Sequence, residues 1–156
     1  MTIQTERLLL RAFVETDVSW YYDFLQNQDI KEELPGIYAS NFKEAEQDIL
    51  IFSRADFEND FYYLIMDKEN KNVMGIIIAV RITTGTMDVS YFLKEEYRHN
   101  GYMHEALEAV ISAACDYNPL YRFRFVIKEK NTASLNVIKK FRHTIEEVNG
   151  KYVCYI

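Results

Sequence analysis

The chain has 156 residues, and it contains few of the residues that break or cross-link a fold: five glycines, two prolines and two cysteines. With 49% hydrophobic and 15% aromatic residues, this composition excludes a disordered or low-complexity protein. Cys115 and Cys154 have neither a CxxC spacing nor a histidine cluster nearby, which argues against a disulfide framework and a zinc site. We therefore expect a single domain over residues 1–156, with reduced thiols and no metal.

Long apolar runs are also missing. The longest, residues 73–80, contains Gly75 and ends at Arg81, whereas a membrane helix needs about 20 apolar residues. The first six residues lack the basic region and apolar stretch of a signal peptide. These absences predict a cytoplasmic protein that does not bind membranes.

Positive charge is in the minority, because 18 lysines and arginines face 24 aspartates and glutamates, for a net charge of −6. Such a balance argues against nucleic acid as a partner. The distribution is uneven, however, since residues 121–143 hold seven basic residues and one acidic residue. This positive segment suits a compact polyanion, although a solvated strand and helix face explains it equally well.

The pattern of apolar residues predicts seven strands and four helices. The strongest signals are a helix that Asn118-Pro119 stops and a hairpin with an Asn149-Gly150 turn. The predicted elements are, in order, a strand over 7–11, a helix from Thr16 or Asp17 to about Asn27, a loop over 29–39, a helix from Ser40 or Asn41 to about Ala55, strands over 61–66, 73–82 and 86–93, a helix over 102–117, a strand over 122–127, a helix from Asn131 to about Phe141, and a hairpin of 143–148 and 151–156.

This order predicts an α/β (α+β) fold with a single mixed, mostly antiparallel sheet of about seven strands covered by four helices. The helix over 102–117 connects the strands over 86–93 and 122–127, and a helical crossover makes two strands parallel. The C-terminal hairpin leaves exposed strands at the sheet edge, on which two copies could pair as a homodimer.

The loop between residues 93 and 103 is a candidate anion site, because it leads from a strand into a helix. A helix start presents unpaired amides and a partial positive charge. Gly101 allows the backbone to approach a ligand closely, and Arg98 and His99 add positive charge. Most strand-to-helix loops with one glycine are only connections, so this loop does not decide the function by itself.

Four segments together resemble the GNAT family of acetyltransferases, and within it the branch that includes the ribosomal-protein N-terminal acetyltransferases. They are residues 5–11 (TERLLLR), 88–93 (DVSYFL), 98–103 (RHNGYM) with 105–107 (EAL), and 131–134 (NTAS) with 137–141 (VIKKF). Their order and spacing are more specific than any one segment. The resemblance implies a GNAT-like fold and an acyltransferase that moves acetyl from acetyl-coenzyme A to a primary amine.

The family's diphosphate motif, Gln/Arg-x-x-Gly-x-Gly/Ala, is matched at Arg98 and Gly101, while Met103 replaces the last small residue. The resemblance also implies two strands that splay apart, so that the pantetheine arm pairs with exposed backbone as an added strand would. The cofactor-binding residues that it implies are Tyr91, Phe92, Leu93, Arg98, His99, Asn100, Gly101, Tyr102, Met103, Asn131 and Ser134.

For catalysis, the resemblance implies direct attack by the amine in a ternary complex. Asp88 is the candidate base, acting through water, although a strand-edge carboxylate that only faces solvent fits the pattern as well. Many relatives have a tyrosine acid where this chain has Ile138, so Ser134 or a neighbouring tyrosine would act instead. Tyr22 and Tyr38 are expected to bind the acceptor, because their elements cover that pocket in relatives.

The acceptor stays open between a protein N-terminus and a small-molecule amine. The alternative function is a noncatalytic sensor domain that binds acyl-coenzyme A. Met103, Ile138 and the absence of a glycine before Phe141 favour this alternative. The third hypothesis is an interaction domain that binds neither the cofactor nor an acceptor. The positive segment argues against it, because this segment suits a compact polyanion.

Overall fold

The structure is a computed structural model that describes residues 2–34, 37–54 and 56–156. One sheet carries helices on both of its faces. The strands are β1 (Thr2–Gln4), β2 (Leu8–Ala12), β3 (Phe61–Asp67), β4 (Val73–Thr83), β5 (Thr86–Leu93), β6 (Arg122–Lys128), β7 (Thr144–Val148) and β8 (Lys151–Tyr155), and the helices are α1 (Val18–Leu25), α2 (Gln28–Glu33), α3 (Phe42–Phe52), α4 (Tyr102–Tyr117) and α5 (Thr132–Ile138). Glu15–Asp17 and Glu95–Tyr97 form single turns of 3₁₀ helix.

The strand order is β1-β2-β3-β4-β5-β6-β8-β7, and β5 and β6 form the parallel pair. This arrangement confirms the predicted mixed, mostly antiparallel sheet, with eight strands and five helices in the described residues instead of seven and four. The extra strand, β1, has three residues and pairs with β2 at the sheet edge. It is too short to show an alternating apolar pattern, so the pattern of apolar residues did not predict it.

The predicted loop over residues 29–39 is wrong in its first part, because α2 occupies it. The Asn27 side chain caps this helix by accepting a hydrogen bond from the Asp29 amide at 2.9 Å, and Ile30 is buried. A helix of six residues shows too little periodicity to be recognised. Pro35-Gly36, the turn predicted within this loop, and Ala55, the predicted end of the second helix, lie outside the described residues.

The core has two parts, one on each face of the sheet. Tyr21, Phe24 and Ile49 lie in the part under α1, α2 and α3, while Leu107 and Phe123 lie in the part under α4 and α5. The sheet therefore holds apolar side chains against helices on both sides, which fixes its position between them. No helix among the described residues is long and apolar enough to cross a bilayer.

The strands β5 and β6 separate along their length. They pair only at Thr86 with Arg122, Met87 with Phe123 and Asp88 with Arg124. Beyond this point β5 stays paired with β4 and β6 stays paired with β8. The two strands thus leave a gap between them, which opens toward the loop before α4.

Candidate active site

A cleft of about 390 Å³ occupies the open end of the gap between β5 and β6. The end of β5, the loop before α4, the first turns of α4 and α5, and the end of α2 surround it. Of the site residues named from the sequence, the following line it: Tyr91, Phe92, Leu93, Arg98, His99, Gly101, Tyr102, Met103, Asn131 and Ser134.

The edge of β5 that faces the gap has free backbone groups. The Lys94 amide donates to the Met74 carbonyl at 2.9 Å, so the alternation of an antiparallel ladder turns residues 90 and 92 toward β4. Residues 89, 91 and 93 therefore turn their peptide groups toward β6 and the gap, and the last pair of the ladder takes up the Val89 amide against the Arg124 carbonyl. The Leu93 carbonyl accepts from Arg98 Nε at 2.8 Å, which agrees with this orientation. An extended ligand can pair with the remaining groups as an added strand does.

A row of unpaired amides lies beside this edge. The backbone amides of residues 99–104 donate to no acceptor within the described chain, and the first bond of α4 runs from the Glu105 amide to the Gly101 carbonyl at 3.1 Å. Gly101 has φ 79° and ψ 0°, and no side chain caps the helix. Together with the dipole of a 16-residue helix, these donors make a site for an anion.

The loop is held in an uncommon backbone conformation. His99, which is not a glycine, has φ 64°, and Gly101 follows it in the same left-handed region. A non-glycine residue at positive φ costs about 1–3 kcal/mol, and such residues cluster at functional sites. Asn100 does not line the cleft, and its side chain donates to the Arg98 carbonyl at 2.8 Å.

The Arg98 guanidinium has contacts of its own. Its Nη2 lies 3.3 Å from Glu33 Oε1 on α2, and its Cζ lies 5.2 Å from the centre of the Phe92 ring. Sequence reasoning missed Glu33, because α2 was not predicted. The Glu33 carboxylate therefore partly neutralises the charge of Arg98. Lys140, from the positive segment 121–143, adds a further positive charge to the cleft wall.

Tyr91 and Ser134 meet in the cleft. The Tyr91 hydroxyl donates to the Ser134 carbonyl at 3.2 Å, and burial raises the pKa of Tyr91 to about 12. The Ser134 amide donates to the Asn131 side chain at 3.0 Å, so Asn131 acts as the cap of α5. The Ser134 hydroxyl has no hydrogen-bond partner among the described residues. The hydroxyl groups of Tyr91 and Ser134 therefore lie together on the cleft wall, which Tyr102 and Thr132 also line.

Asp88 lies outside this lining. Its Oδ1 accepts from Arg124 Nε at 2.7 Å, at the last paired position before β5 and β6 separate. The hydrogen bond to Asp88 raises the pKa of Arg124, partly offset by burial. The sequence placed Asp88 on this strand correctly, but the partner on β6 was not predicted. One of the two carboxylate oxygens of Asp88 is therefore engaged by Arg124.

The two substitutions relative to the family motif are accommodated by the core. Met103 is buried among the residues between α4 and the sheet while it also lines the cleft, whose volume is about 390 Å³ with this side chain in place. Ile138 is fully buried. An aliphatic side chain in that position cannot donate a proton, so this role falls to another group on the cleft wall, where Tyr91, Tyr102 and Ser134 all carry hydroxyls.

Tyr22 and Tyr38 are not part of the cleft lining. Tyr22 packs edge-on against Phe42 with ring centres 5.6 Å apart, and Tyr38 is 67% exposed. A second cavity of about 430 Å³ lies between α1 and the end of β5, where Phe92 lines both cavities. Sequence reasoning missed it. Its other lining residues are Trp20, Asp23, Phe24, Asn27, Asp29, Lys94, Glu95 and Glu96.

No group of three or more histidine, cysteine, aspartate or glutamate side chains within residues 2–34, 37–54 and 56–156 could hold a metal ion. The chemistry that the described site offers comes from amides, hydroxyls and charged side chains.

Comparison with known proteins agrees with this geometry. Residues 7–143 match the family model of the acetyltransferase (GNAT) domain. The chain is 24% identical to the N-acetyltransferase YnaD of Bacillus subtilis (strain 168), which is described as uncharacterized, over 90% of this chain and 81% of that protein.

Solved structures show the same fold. An acetyltransferase of the GNAT family from Bacillus anthracis superposes with a TM-score of 0.82 at 18% identity, over 100% of this chain and 98% of that one. RimL, the ribosomal L7/L12 α-N-protein acetyltransferase, solved in complex with coenzyme A, superposes with a TM-score of 0.79 at 20% identity, over 99% and 96%. At these identities the structural likeness establishes the fold alone.

Proposed function

Because this chain belongs to the GNAT acetyltransferase family, we propose that it transfers acetyl from acetyl-coenzyme A to the primary amine of a protein N-terminus or a small molecule. The amine attacks the thioester directly in a ternary complex, without a covalent enzyme intermediate. The observation that carries this proposal is the row of unpaired amides at residues 99–104 beside the free edge of β5.

The diphosphate of the acetyl donor is bound by the amides of residues 99–104. These donors satisfy phosphate oxygens without a metal, and the α4 dipole favours the negative charge. Arg98 and Lys140 add positive charge on two sides of the cleft. His99 and Gly101 hold the backbone in the conformation that exposes these amides.

The pantetheine arm lies along β5. The Val89 carbonyl, the amide and carbonyl of Tyr91 and the Leu93 amide face the gap and can pair with its amide groups. An amide on this edge also donates to the thioester carbonyl oxygen, where negative charge develops as the amine attacks. Asn131 and Ser134 at the start of α5 contact the opposite side of the arm.

The proton transfers are assigned to the side chains near the gap. The nitrogen–carbon bond forms as the carbon–sulfur bond breaks, and Asp88 accepts the amine proton through water. Burial raises the pKa of Tyr91 to about 12, so Tyr91 keeps its proton at neutral pH and its hydroxyl donates a hydrogen bond to the departing thiolate. The Ser134 hydroxyl is a second donor. An α-amine has a reference pKa of about 7.7–8.0, so it needs less help from a base than a lysine amine at about 10.4.

The acceptor proposal includes protein N-termini because of the structural neighbour RimL, an α-N-protein acetyltransferase. Tyr22 and Tyr38 lie outside the cleft, so their proposed role in binding requires an acceptor that extends beyond it. A peptide acceptor meets this requirement better than a small amine.

The test is turnover of acetyl-coenzyme A with a panel of amines. Peptides with free α-amines, polyamines and amino acids are mixed with the protein, and free thiol is measured with a chromogenic thiol reagent. We expect thiol release that depends on one class of amine, with the acetylated product seen by mass spectrometry. A sensor domain would instead bind acetyl-coenzyme A without thiol release, and an absence of binding would contradict both functions.

A further inference from the structure

The segment before β2 is bonded to the first turn of α4, although 98 positions separate them in the chain. The Arg7 amide donates to Glu105 Oε1 at 3.0 Å, and Arg7 Nε donates to Glu105 Oε2 at 2.7 Å. Arg7 Nη2 lies 2.6 Å from the same oxygen. The Thr5 hydroxyl completes the set by donating to Glu105 Oε1 at 2.5 Å.

Arg7 also reaches the anion loop itself. Its Nη1 donates to the Asn100 carbonyl at 3.0 Å, and its Cζ lies 4.4 Å from the centre of the Tyr102 ring. One guanidinium therefore contacts the residues on both sides of Gly101. A β-carbon on Gly101 would lie 3.6 Å from Arg7 Nη2, so the side chain packs directly against this backbone.

The hydrogen bond from Arg7 to the Asn100 carbonyl determines the direction of the Gly101 amide. The Asn100 carbonyl and the Gly101 amide belong to one planar trans peptide, in which the C=O and N–H bonds point in opposite directions. A carbonyl held by Arg7 therefore fixes the direction of the Gly101 N–H. No side chain caps α4, and within the described residues the Asn100 carbonyl accepts only the hydrogen bond from Arg7.

The charges of the pair suit an anion site as well. Glu105 in the first turn of α4 interacts favourably with the helix dipole, but its negative charge alone would repel a diphosphate bound at the same helix start. Arg7 neutralises that charge at 2.6 Å. The pair thus anchors the helix start without adding net negative charge to the site.

We propose that Arg7 and Glu105 form a clamp that turns the Gly101 amide toward the diphosphate of the acetyl donor. Arg7 is a positioning residue in this account, because its three guanidinium nitrogens already bond within the protein. The proposal rests on the function proposed above. It gives a role to the segment 5–7, which the catalytic scheme does not use.

The test compares a ligand that has a diphosphate with one that lacks it. Dissociation constants are measured for coenzyme A by calorimetry and for pantetheine by chemical-shift titration. The variants are Arg7→Met, which removes every hydrogen bond of the guanidinium, and Arg7→Lys. Lysine keeps the positive charge but cannot contact Glu105 and the Asn100 carbonyl with three nitrogens at once. Arg11→Lys is the matched control, because it weakens the Arg11–Asp17 pair at the other end of β2, where Nη1 and Oδ2 are 2.6 Å apart.

We expect Arg7→Met to weaken coenzyme A binding about tenfold, as the loss of one charge-assisted hydrogen bond implies, and to change pantetheine binding less than about twofold. Arg7→Lys should fall between wild type and Arg7→Met, and it provides the result if Arg7→Met does not fold. Arg11→Lys should lower the melting temperature without changing the ratio of the two constants.

Equal losses for both ligands, or no loss for either, would overturn the clamp while leaving the proposed function intact. A wild-type protein that binds neither coenzyme A nor pantetheine would overturn the proposed function and the clamp with it. The two failures are therefore distinguishable in one set of titrations.

Discussion

Asp88 and Arg124 are joined at the point where β5 and β6 separate, with Arg124 Nε donating to Asp88 Oδ1 at 2.7 Å. Both side chains are about one-third exposed, at 32% and 31%. The pair closes the ladder at one end of the gap, while the anion loop marks the other end. The gap therefore has a defined length along β5, from residue 89 to residue 93.

The first prediction concerns Asp88 as the proposed base. Asp88→Asn keeps the shape of the side chain but removes its ability to take a proton, so kcat should fall about 10²-fold while the affinity for coenzyme A is retained. Arg124→Lys is the control, because it weakens the same ion pair without removing the carboxylate. Steady-state kinetics with the acceptor from the amine panel measures both, and an equal effect of the two variants would show that Asp88 serves the strand pair alone.

The second prediction concerns the Tyr91 hydroxyl as the hydrogen-bond donor to the departing thiolate. Tyr91→Phe removes the hydroxyl but keeps the ring, whose centre lies 6.2 Å from that of Phe125, so packing is retained. We expect kcat to fall about 10²-fold with unchanged coenzyme A affinity. Because burial raises the pKa of Tyr91 to about 12, the kcat of the wild type should show no loss with an apparent pKa near 10. A Tyr91→Phe variant with wild-type kcat would move the role to Ser134.

The third prediction uses two glycines with similar backbone angles. Gly101 has φ 79° beside Arg7, and Gly150 has φ 72° in the β7–β8 turn, where an added β-carbon meets no atom within 4 Å. Gly101→Ala and Gly150→Ala should each lower the free energy of unfolding by about 1–2 kcal/mol, since both force alanine into the left-handed region. Only Gly101→Ala should also weaken coenzyme A binding, by about tenfold. Chemical denaturation and calorimetry give the two quantities, and a similar loss of binding in both variants would contradict the assignment of the loop.

The fourth prediction is a pH dependence of stability at Glu105. Burial acts to raise the pKa of this carboxylate, but hydrogen bonds from Thr5 and Arg7 outweigh it and lower the pKa below its ordinary value. A lowered pKa in the folded state means that the carboxylate stabilises the fold above its unfolded pKa, about 4.3, and that this contribution disappears as the pH falls through the folded value.

The comparison that isolates this effect is wild type against Glu105→Gln. The difference in melting temperature between the two proteins should be largest at pH 6. It should decrease steadily as the pH is lowered below about 4.5, because Glu105 becomes protonated in both the unfolded and the folded state. Thermal unfolding followed by circular dichroism provides it. A difference that does not change with pH would show that the ionised form of Glu105 has no special role.

Elements with a full apolar pattern could be predicted from the sequence with their ends. The helix Tyr102–Tyr117 has buried residues at spacings of three and four and stops before Pro119, and the strand Thr86–Leu93 lies between two turn signals. The two short elements β1 and α2 were not predicted, because segments of three and six residues show too little apolar periodicity. Helix α5 ends at Ile138, three residues before its predicted end.

The candidate site could be predicted only in part, for a physical reason. Loop residues such as Arg98 and Gly101 are local in sequence, so a motif identifies them. The contacts of Asp88 with Arg124 and of Arg7 with Glu105 join residues 36 and 98 positions apart. Such pairs follow from the strand register and from the packing of α4 on the sheet, which no local pattern contains.

The most direct test of the central claim follows the backbone amides of residues 99–104 while coenzyme A is added to ¹⁵N-labelled protein. We expect these six amide resonances to shift most, together with those of residues 91 and 93 on the free edge of β5. Binding of coenzyme A that leaves residues 99–104 unchanged, or that shifts the amides around Trp20 instead, would contradict it.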